Sequence, residues 1–261
     1  MSVTETIFQI EPPLAVLTLN RPEARNAMTW AMYEALVAAC AAVEGDDAVR
    51  VFVIRGAGGR AFSAGTDISQ FLEFREPEDS VRYEERIGEV LGTLERVAKP
   101  TIAEVNGVAA GAGCGIALTC DLRVATPEST FGIPVARTLG NCVPAAAYSR
   151  LVDLIGAGRA TDMLFTGRLV DAAEAQSIGL VNRVAPADVI SETVRDLAVK
   201  IAANAPLTVR GIKEMGRRLS ARRRLAGADA RDVMQSCYTS ADFREGVAAF
   251  LAKRRPQWTG R

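Results

Sequence analysis

Two runs of small residues are the places where this sequence leaves backbone amides open to chemistry. Ala61-Phe62-Ser63-Ala64-Gly65-Thr66-Asp67 and Ala110-Gly111-Ala112-Gly113-Cys114-Gly115 each follow a strand-like segment. With side chains this small, two N–H groups can converge on one oxygen and hold its developing negative charge, forming an oxyanion hole. The second run leads into a helical segment, whose unpaired first-turn amides and dipole add to that field. The same glycines also serve tight turns and close helix packing, and spacing alone leaves the two readings level. A dinucleotide or P-loop site fits less well. Gly56-Ala57-Gly58-Gly59 opens no helix, no acidic residue ends a strand ~20 residues further on, and no G-x-x-x-x-G-K-[ST] occurs.

The chain has no histidine. That removes Ser-His-Asp and Cys-His arrangements, His-containing zinc sites, and the one side chain that titrates near neutrality unperturbed. Any acid or base must be a carboxylate, Lys, Tyr, Cys or water. Cys40, Cys114, Cys120, Cys142 and Cys237 are odd in number and form no C-x-x-C, which reads as reduced thiols in a reducing compartment, with no metal site. The 261 residues balance 31 Lys+Arg against 31 Asp+Glu, so no general field draws in nucleic acid. The basic cluster Arg217, Arg218, Arg222, Arg223 and Arg224 is local. No apolar run reaches the ~20 residues of a membrane span, and the opening MSVTETIFQIEPP has no signal-peptide pattern. A cytoplasmic protein with no nucleic-acid or membrane partner is expected.

The elements that must position the small-residue runs alternate between strand and helix. Leu14 to Asn20 reads as a strand, followed by a helix on which Met32, Leu36, Cys40 and Val43 recur at helical spacing, with Thr29 placed to cap it. Val49 to Arg55 is a second strand and Thr101 to Val105 a third, each entering a glycine-rich turn. A charged helix lies around residues 78–97, with Ile87, Leu91 and Leu94 as its apolar stripe and Glu84, Glu85, Glu89 and Glu95 mostly elsewhere. Helical signals dominate from about residue 145, with a brief extended piece at Leu180 to Val184. Amphipathic helices are expected over Pro206 to Arg223 and Ala241 to Arg254, the last stopped at Arg255-Pro256. Helical crossovers between strands imply parallel pairing, hence an α/β fold.

In this order, LNRPEARNAM (19–28), VFVIRGAGGRAFSAGTDI (51–68), KPTIAEVNGVAAGAGCGIALTCDLRVA (99–125), FGIP (131–134) and SADFREGVAAFLAKRRPQWTG (240–260) resemble the enoyl-CoA hydratase/isomerase, or crotonase, superfamily. The resemblance covers essentially the whole chain. It implies a crotonase-like α/β fold of repeated ββα units forming a spiral core over 1–200, and a C-terminal helical region over 201–261 for trimerisation and site capping. It also implies a homotrimer or dimer of trimers and an acyl-CoA thioester substrate, with coenzyme A arriving as part of that substrate and no cofactor bound permanently. By matching positions, the amides of Thr66 and Ala112 would hold the thioester oxygen as it becomes an enolate. Ala24, Ala64, Thr66, Asp67, Ile68, Gly111, Ala112, Pro134, Val135 and Thr138 would line the CoA and acyl path. Lys253 and Arg254 would either reach a CoA phosphate or form a solvated helix face.

The sequence departs from the hydratase pattern at both carboxylates. Gly115 stands where the first glutamate is expected and Val135 where the second is. Hydration needs a base on water and an acid at the α carbon, so efficient simple enoyl-CoA hydration is not expected. Candidate replacements are Asp67 (or a loop-holding carboxylate), Glu104 (or a structural ion pair), Glu84 and Glu85 on the charged helix, and Arg137, Thr138, Asn141, Cys142 and Tyr148 on or beside a lengthened loop. A non-catalytic acyl-CoA binder, a divergent isomerase, hydrolase or decarboxylase of the superfamily, and a remote nicotinamide-dependent oxidoreductase are the alternatives.

Overall fold

Three times along the chain a longer strand enters one sheet, turns, and sends a short strand into a second sheet before a helix returns. The computed structural model describes residues 4–74, 76–224 and 227–261. A hairpin, β1 (Thr6–Glu11) and β2 (Leu14–Leu19), precedes helix α1 (Trp30–Gly45). The three units are β3 (Val51–Gly56), β4 (Ala61–Ser63) and α2 (Pro77–Arg96); β5 (Thr101–Val105), β6 (Val108–Ala110) and α3 (Ala112–Thr119); and β7 (Leu122–Ala125), β8 (Thr130–Gly132) and α4 (Val135–Thr138). Then follow α5 (Ala145–Ile155), α6 (Ala157–Thr166), β9 (Val170–Asp171), α7 (Ala172–Ser177), β10 (Arg183–Val184), α8 (Ile190–Ala202), α9 (Pro206–Ala221), α10 (Arg231–Tyr238) and α11 (Ala241–Leu251).

The larger sheet has the order β1-β2-β3-β5-β7-β10 and the smaller β4-β6-β8-β9. Helical returns make β2, β3, β5 and β7 parallel, while the two-residue link after β1 makes its pairing antiparallel. Alternation along the strands divides the core. Ala15, Leu17, Phe52, Ile54, Ala103 and Val105 face the main core with α1, α2 and α3. Val51, Val53, Ile102 and Val124 face a smaller core covered by Ile190, Val194 and Leu197 of α8. Such two-sided burial is what a parallel sheet requires.

The expected elements are present with shifted ends. Thr29 caps α1, its Oγ1 accepting from Met32 N–H at 3.2 Å, and Met32, Leu36, Cys40 and Val43 are buried. The tail helix ends at Leu251, before the proline, and the extended piece near Leu180 shortens to the two residues of β10. β1 has no counterpart in the residue-by-residue reading, and the short strands of the second sheet, expected only through the ββα resemblance, carry too little periodicity to register at two or three residues. On α2 one charge departs from the pattern. Glu84 lies at i, i+3, i+7 with Ile87 and Leu91 and is buried with them, only 7% exposed. No described helix is long and apolar enough to cross a membrane.

Candidate active site

Parallel pairing of β4, β6 and β8 sets their C-terminal ends side by side, about one strand spacing (~4.8 Å) apart. Ala64–Asp67 follows β4, Gly111 and Ala112 follow β6, and Ile133–Val135 follows β8. Three segments far apart in sequence thus open onto one edge. Gly111 N–H donates to Gly132 O at 2.9 Å and continues the β6–β8 ladder past its formal end.

The first two segments touch through their glycines. A Cβ at Gly111 would lie 3.5 Å from Gly65 Cα, and a Cβ at Gly65 would lie 3.3 Å from Ala110 O and 3.6 Å from Ala112 N. Both glycines have positive φ, +114° at Gly65 and +52° at Gly111, so a side chain there would be strained as well as crowded. Gly113 is tighter still: its Cβ would meet Ser63 O at 2.3 Å.

Thr66 forms a parallel bridge with Met28, in which Met28 N–H donates to Gly65 O at 2.7 Å and Asp67 N–H to Met28 O at 3.0 Å. In that pattern the N–H of Thr66 itself points away from Met28, and it has no partner among the described residues. Ala112 is the first residue of α3, where a helix leaves its amides without intrahelical partners. Two N–H groups without an intrachain partner among the described residues thus lie on segments that touch through Gly65 and Gly111, one of them at a helix N-terminus, an arrangement suited to an oxygen carrying negative charge.

The opening is rimmed by the other chain segments expected there. Ala24, Ala64 and Ile68 lie along the same strip: Ala64 N–H donates to Arg25 O at 3.0 Å, and Asn26 ties the strip to the sheet through Ala57 O and Ala61 O at 3.0 and 2.8 Å. Asn26 is fully buried with φ +55°, a role that its position in RPEARNA did not announce. Asp67 accepts from Ser69 N–H and Oγ and from Arg21 Nη1. Burial acts to raise its pKa, but these hydrogen bonds outweigh it and hold the carboxyl below its usual range. Asp67 is thus engaged in fixing the loop. Glu104 faces the α8 side of the sheet with Ile102, accepting from Ser191 Oγ at 2.7 Å, which removes it from this opening. Arg254 is paired with Glu245 in the same tail.

At the two expected carboxylate positions the wall is apolar. A Cβ on Gly115 would rest in ordinary contact, 3.6 Å from Leu91 Cδ1 of α2. Val135 packs, half-buried, against the main core. Pro134 precedes α4 and its carbonyl accepts from Thr138 Oγ1 at 2.9 Å, while Arg137 and Tyr148 are exposed. Asn141 turns inward instead. Its Nδ2 donates to Tyr238 Oη at 3.0 Å, and its Oδ1 is buried without a partner among the described residues.

Behind these loops lies a buried polar cluster. Thr66 Oγ1 shares hydrogen bonds with Tyr33 Oη at 2.9 Å and Tyr83 Oη at 2.7 Å. Next to Tyr83, Glu84 accepts a short hydrogen bond from Tyr238 Oη of α10. Burial drives the Glu84 carboxyl up and the Tyr238 bond offsets only part of it, leaving the pKa at about 7. Among the described residues no cation pairs with Glu84; Arg231 on α10 pairs with the exposed Glu85 instead. Tyr238 also walls a cavity of about 300 Å³ with Phe71, Phe74, Phe243 and Val247. Among the described residues no cluster of acidic or cysteine side chains could hold a metal.

Residues 9–261 match the family model described as enoyl-CoA hydratase/isomerase. The chain is 34% identical to the short-chain-enoyl-CoA hydratase of Clostridium acetobutylicum, over 98% of this chain and 97% of that one. It is 36% identical to the 2,3-dehydroadipyl-CoA hydratase of Escherichia coli, over 99% and 100%. A solved enoyl-CoA hydratase/carnithine racemase from Magnetospirillum magneticum superposes with a TM-score of 0.80 at 31% identity, covering 100% of this chain and 97% of that one.

Proposed function

The chain belongs to the enoyl-CoA hydratase/isomerase family, and from that membership we propose that it binds an acyl-CoA thioester and stabilises its enolate between the amides of Thr66 and Ala112. The observation that carries this reading is the contact of Gly65 with Gly111, which seats the two open N–H groups on one edge of the small sheet. As a proton leaves the α carbon, charge moves onto the thioester oxygen; hydrogen bonds to that oxygen strengthen, and the barrier falls. Ala24, Ala64, Asp67 and Ile68 form the rim along which coenzyme A would run, largely against backbone atoms. The exposed stripe Ile212, Met215 and Leu219 on α9 supports a self-associating C-terminal region, and hence a homotrimer or dimer of trimers.

Simple enoyl-CoA hydration, the activity in the names of both relatives, is not the principal reaction proposed here. Neither Gly115 nor Val135 can move a proton. A non-catalytic acyl-CoA binder is the second reading, favoured by the same two vacancies. Mass spectrometry of butyryl-CoA, 3-hydroxybutyryl-CoA and phenylacetyl-CoA incubated with the protein in D2O separates them. Deuterium entering at the α carbon is expected; tight binding of all three thioesters with no exchange would leave only the binder. Crotonyl-CoA hydration at a rate ordinary for the family would overturn the departure from hydratase chemistry.

A further inference from the structure

Glu84 is a carboxylate that the fold has taken out of water with no cation beside it among the described residues. Burial of this kind is costly unless the group is neutral or used. It is bracketed on three sides by the proposed site. Tyr83, its chain neighbour, bonds Thr66, which carries one of the two open amides. Leu91, on the same face of α2, lies 3.6 Å from where a Cβ at Gly115 would stand. Tyr238, bonded to Glu84, is held by Asn141 from the loop that follows Val135, and forms a wall of the neighbouring cavity, whose lining mixes aromatic residues with Glu76, Ser80 and Arg244.

We propose that Glu84 is the catalytic acid–base of this protein, a carboxylate supplied from α2 in place of those absent at Gly115 and Val135. This rests on the enolate reading above. Ionised Glu84 takes the α proton of the bound thioester, and the C–H electron pair becomes the enolate π bond as charge settles on the oxygen held by Thr66 and Ala112. The carboxylic acid then returns a proton to the enolate, at the α carbon or at a conjugated carbon further along, so that no external oxidant or reductant is needed. Only Oε1 accepts from Tyr238. Oε2 has no hydrogen bond among the described residues and is the oxygen available to substrate.

The titratable groups facing Glu84 are Tyr33 of α1, Tyr83 of α2, Tyr238 of α10, and Cys142 of the loop, with Cys237 of α10 beside Cys142. Burial raises the pKa of each tyrosine named and pushes Cys142 to about 12, so each of those four is neutral where Glu84 titrates. The pH profile of exchange should therefore show one ionisation near 7, with activity rising as Glu84 loses its proton.

The test is α-deuterium exchange of the same three thioesters against pH, with wild type, Glu84→Gln, Tyr238→Phe and Ala112→Pro compared as full-length protein. Glu84→Gln keeps the shape and removes the charge, and circular dichroism with butyryl-CoA titration reports that fold and binding persist. It is expected to lose at least about 10²-fold in exchange. Tyr238→Phe removes a donor to the carboxylate and should move the inflection to higher pH, which a merely structural glutamate would not do. Glu84→Gln exchanging at the wild-type rate, while Ala112→Pro does not exchange, overturns the role of Glu84 and leaves the enolate reading standing. No exchange by wild type with any thioester removes both.

Discussion

The oxyanion edge and the acid–base wall of this site sit on neighbouring strand ends yet are built from different material. On the edge formed after β4 and β6, the proposed donors are backbone amides, so the side chains of Thr66 and Ala112 can differ without touching them. On the wall formed by α3 and the segment after β8, the chemistry expected from the resemblance belongs to side chains, and Gly115 and Val135 carry no group that moves a proton. A backbone site therefore tolerates substitution so long as its glycines remain, whereas a side-chain site can be relocated to another element.

The comparison can be broken most sharply at Ala112. It occupies the first helical position, where proline fits, so Ala112→Pro should delete one amide donor while the protein stays folded. Loss of one oxyanion donor should reduce α-exchange by about 10²–10³, or ~2.7–4 kcal/mol. An unchanged rate would mean that the edge is not the electrophilic part of the site.

The next effect belongs to the wall. Glu84 has a folded-state pKa of about 7 against an ordinary 4.5. Its neutral form is favoured by the fold, so that contribution is complete below about pH 4.5 and is lost as pH rises to about 7. Urea unfolding should show wild type losing at most roughly 3 kcal/mol over that interval relative to Glu84→Gln. Parallel stability curves would show that Glu84 is solvated in solution.

Restoring the absent side chains sharpens the comparison from the other direction. Gly115→Glu with Val135→Glu should add crotonyl-CoA hydration, the more so the less Leu91, 3.6 Å from the new Cβ, crowds the added carboxylate. Adding Leu91→Ala should raise the rate by about 10² over the double variant. Equal rates would indicate that space at Leu91 does not limit the wall.

The smallest contrast lies within α3. A Cβ at Gly113 collides with Ser63 O, whereas at Gly115 it makes ordinary contact. Gly113→Ala should lose about 1–3 kcal/mol of stability, and Gly115→Ala should gain up to ~1 kcal/mol from helix propensity. Thermal midpoints that shift the same way would contradict the packing described.

Much of the edge was legible from residues alone, since small residues after a strand and before a helix are a local pattern. The helix caps, the apolar stripes of α1 and α2, and the strand Thr101 to Val105 are equally local. Glu104 illustrates a partial reading: strand alternation says that it points to one face, but only the placement of α8 says which. Asp67 was readable as a loop carboxylate, and Arg21, its ion-pair partner, lies 46 positions earlier. The short strands of the second sheet escaped because their order is set by pairing, not by internal periodicity.

The sequence by itself determined the family, and it alone suggests the open amides and the glycine and valine at the two expected carboxylate positions, because each depends on residue identity over a few consecutive positions. The tertiary structure decided what closes over Glu84. Helical spacing with Ile87 and Leu91 puts it on the apolar stripe of α2, but Tyr238, 154 positions away in the chain, donates to it, and no cation among the described residues pairs with it. Spacing marks the face, whereas burial of a charge is a property of what packs around it.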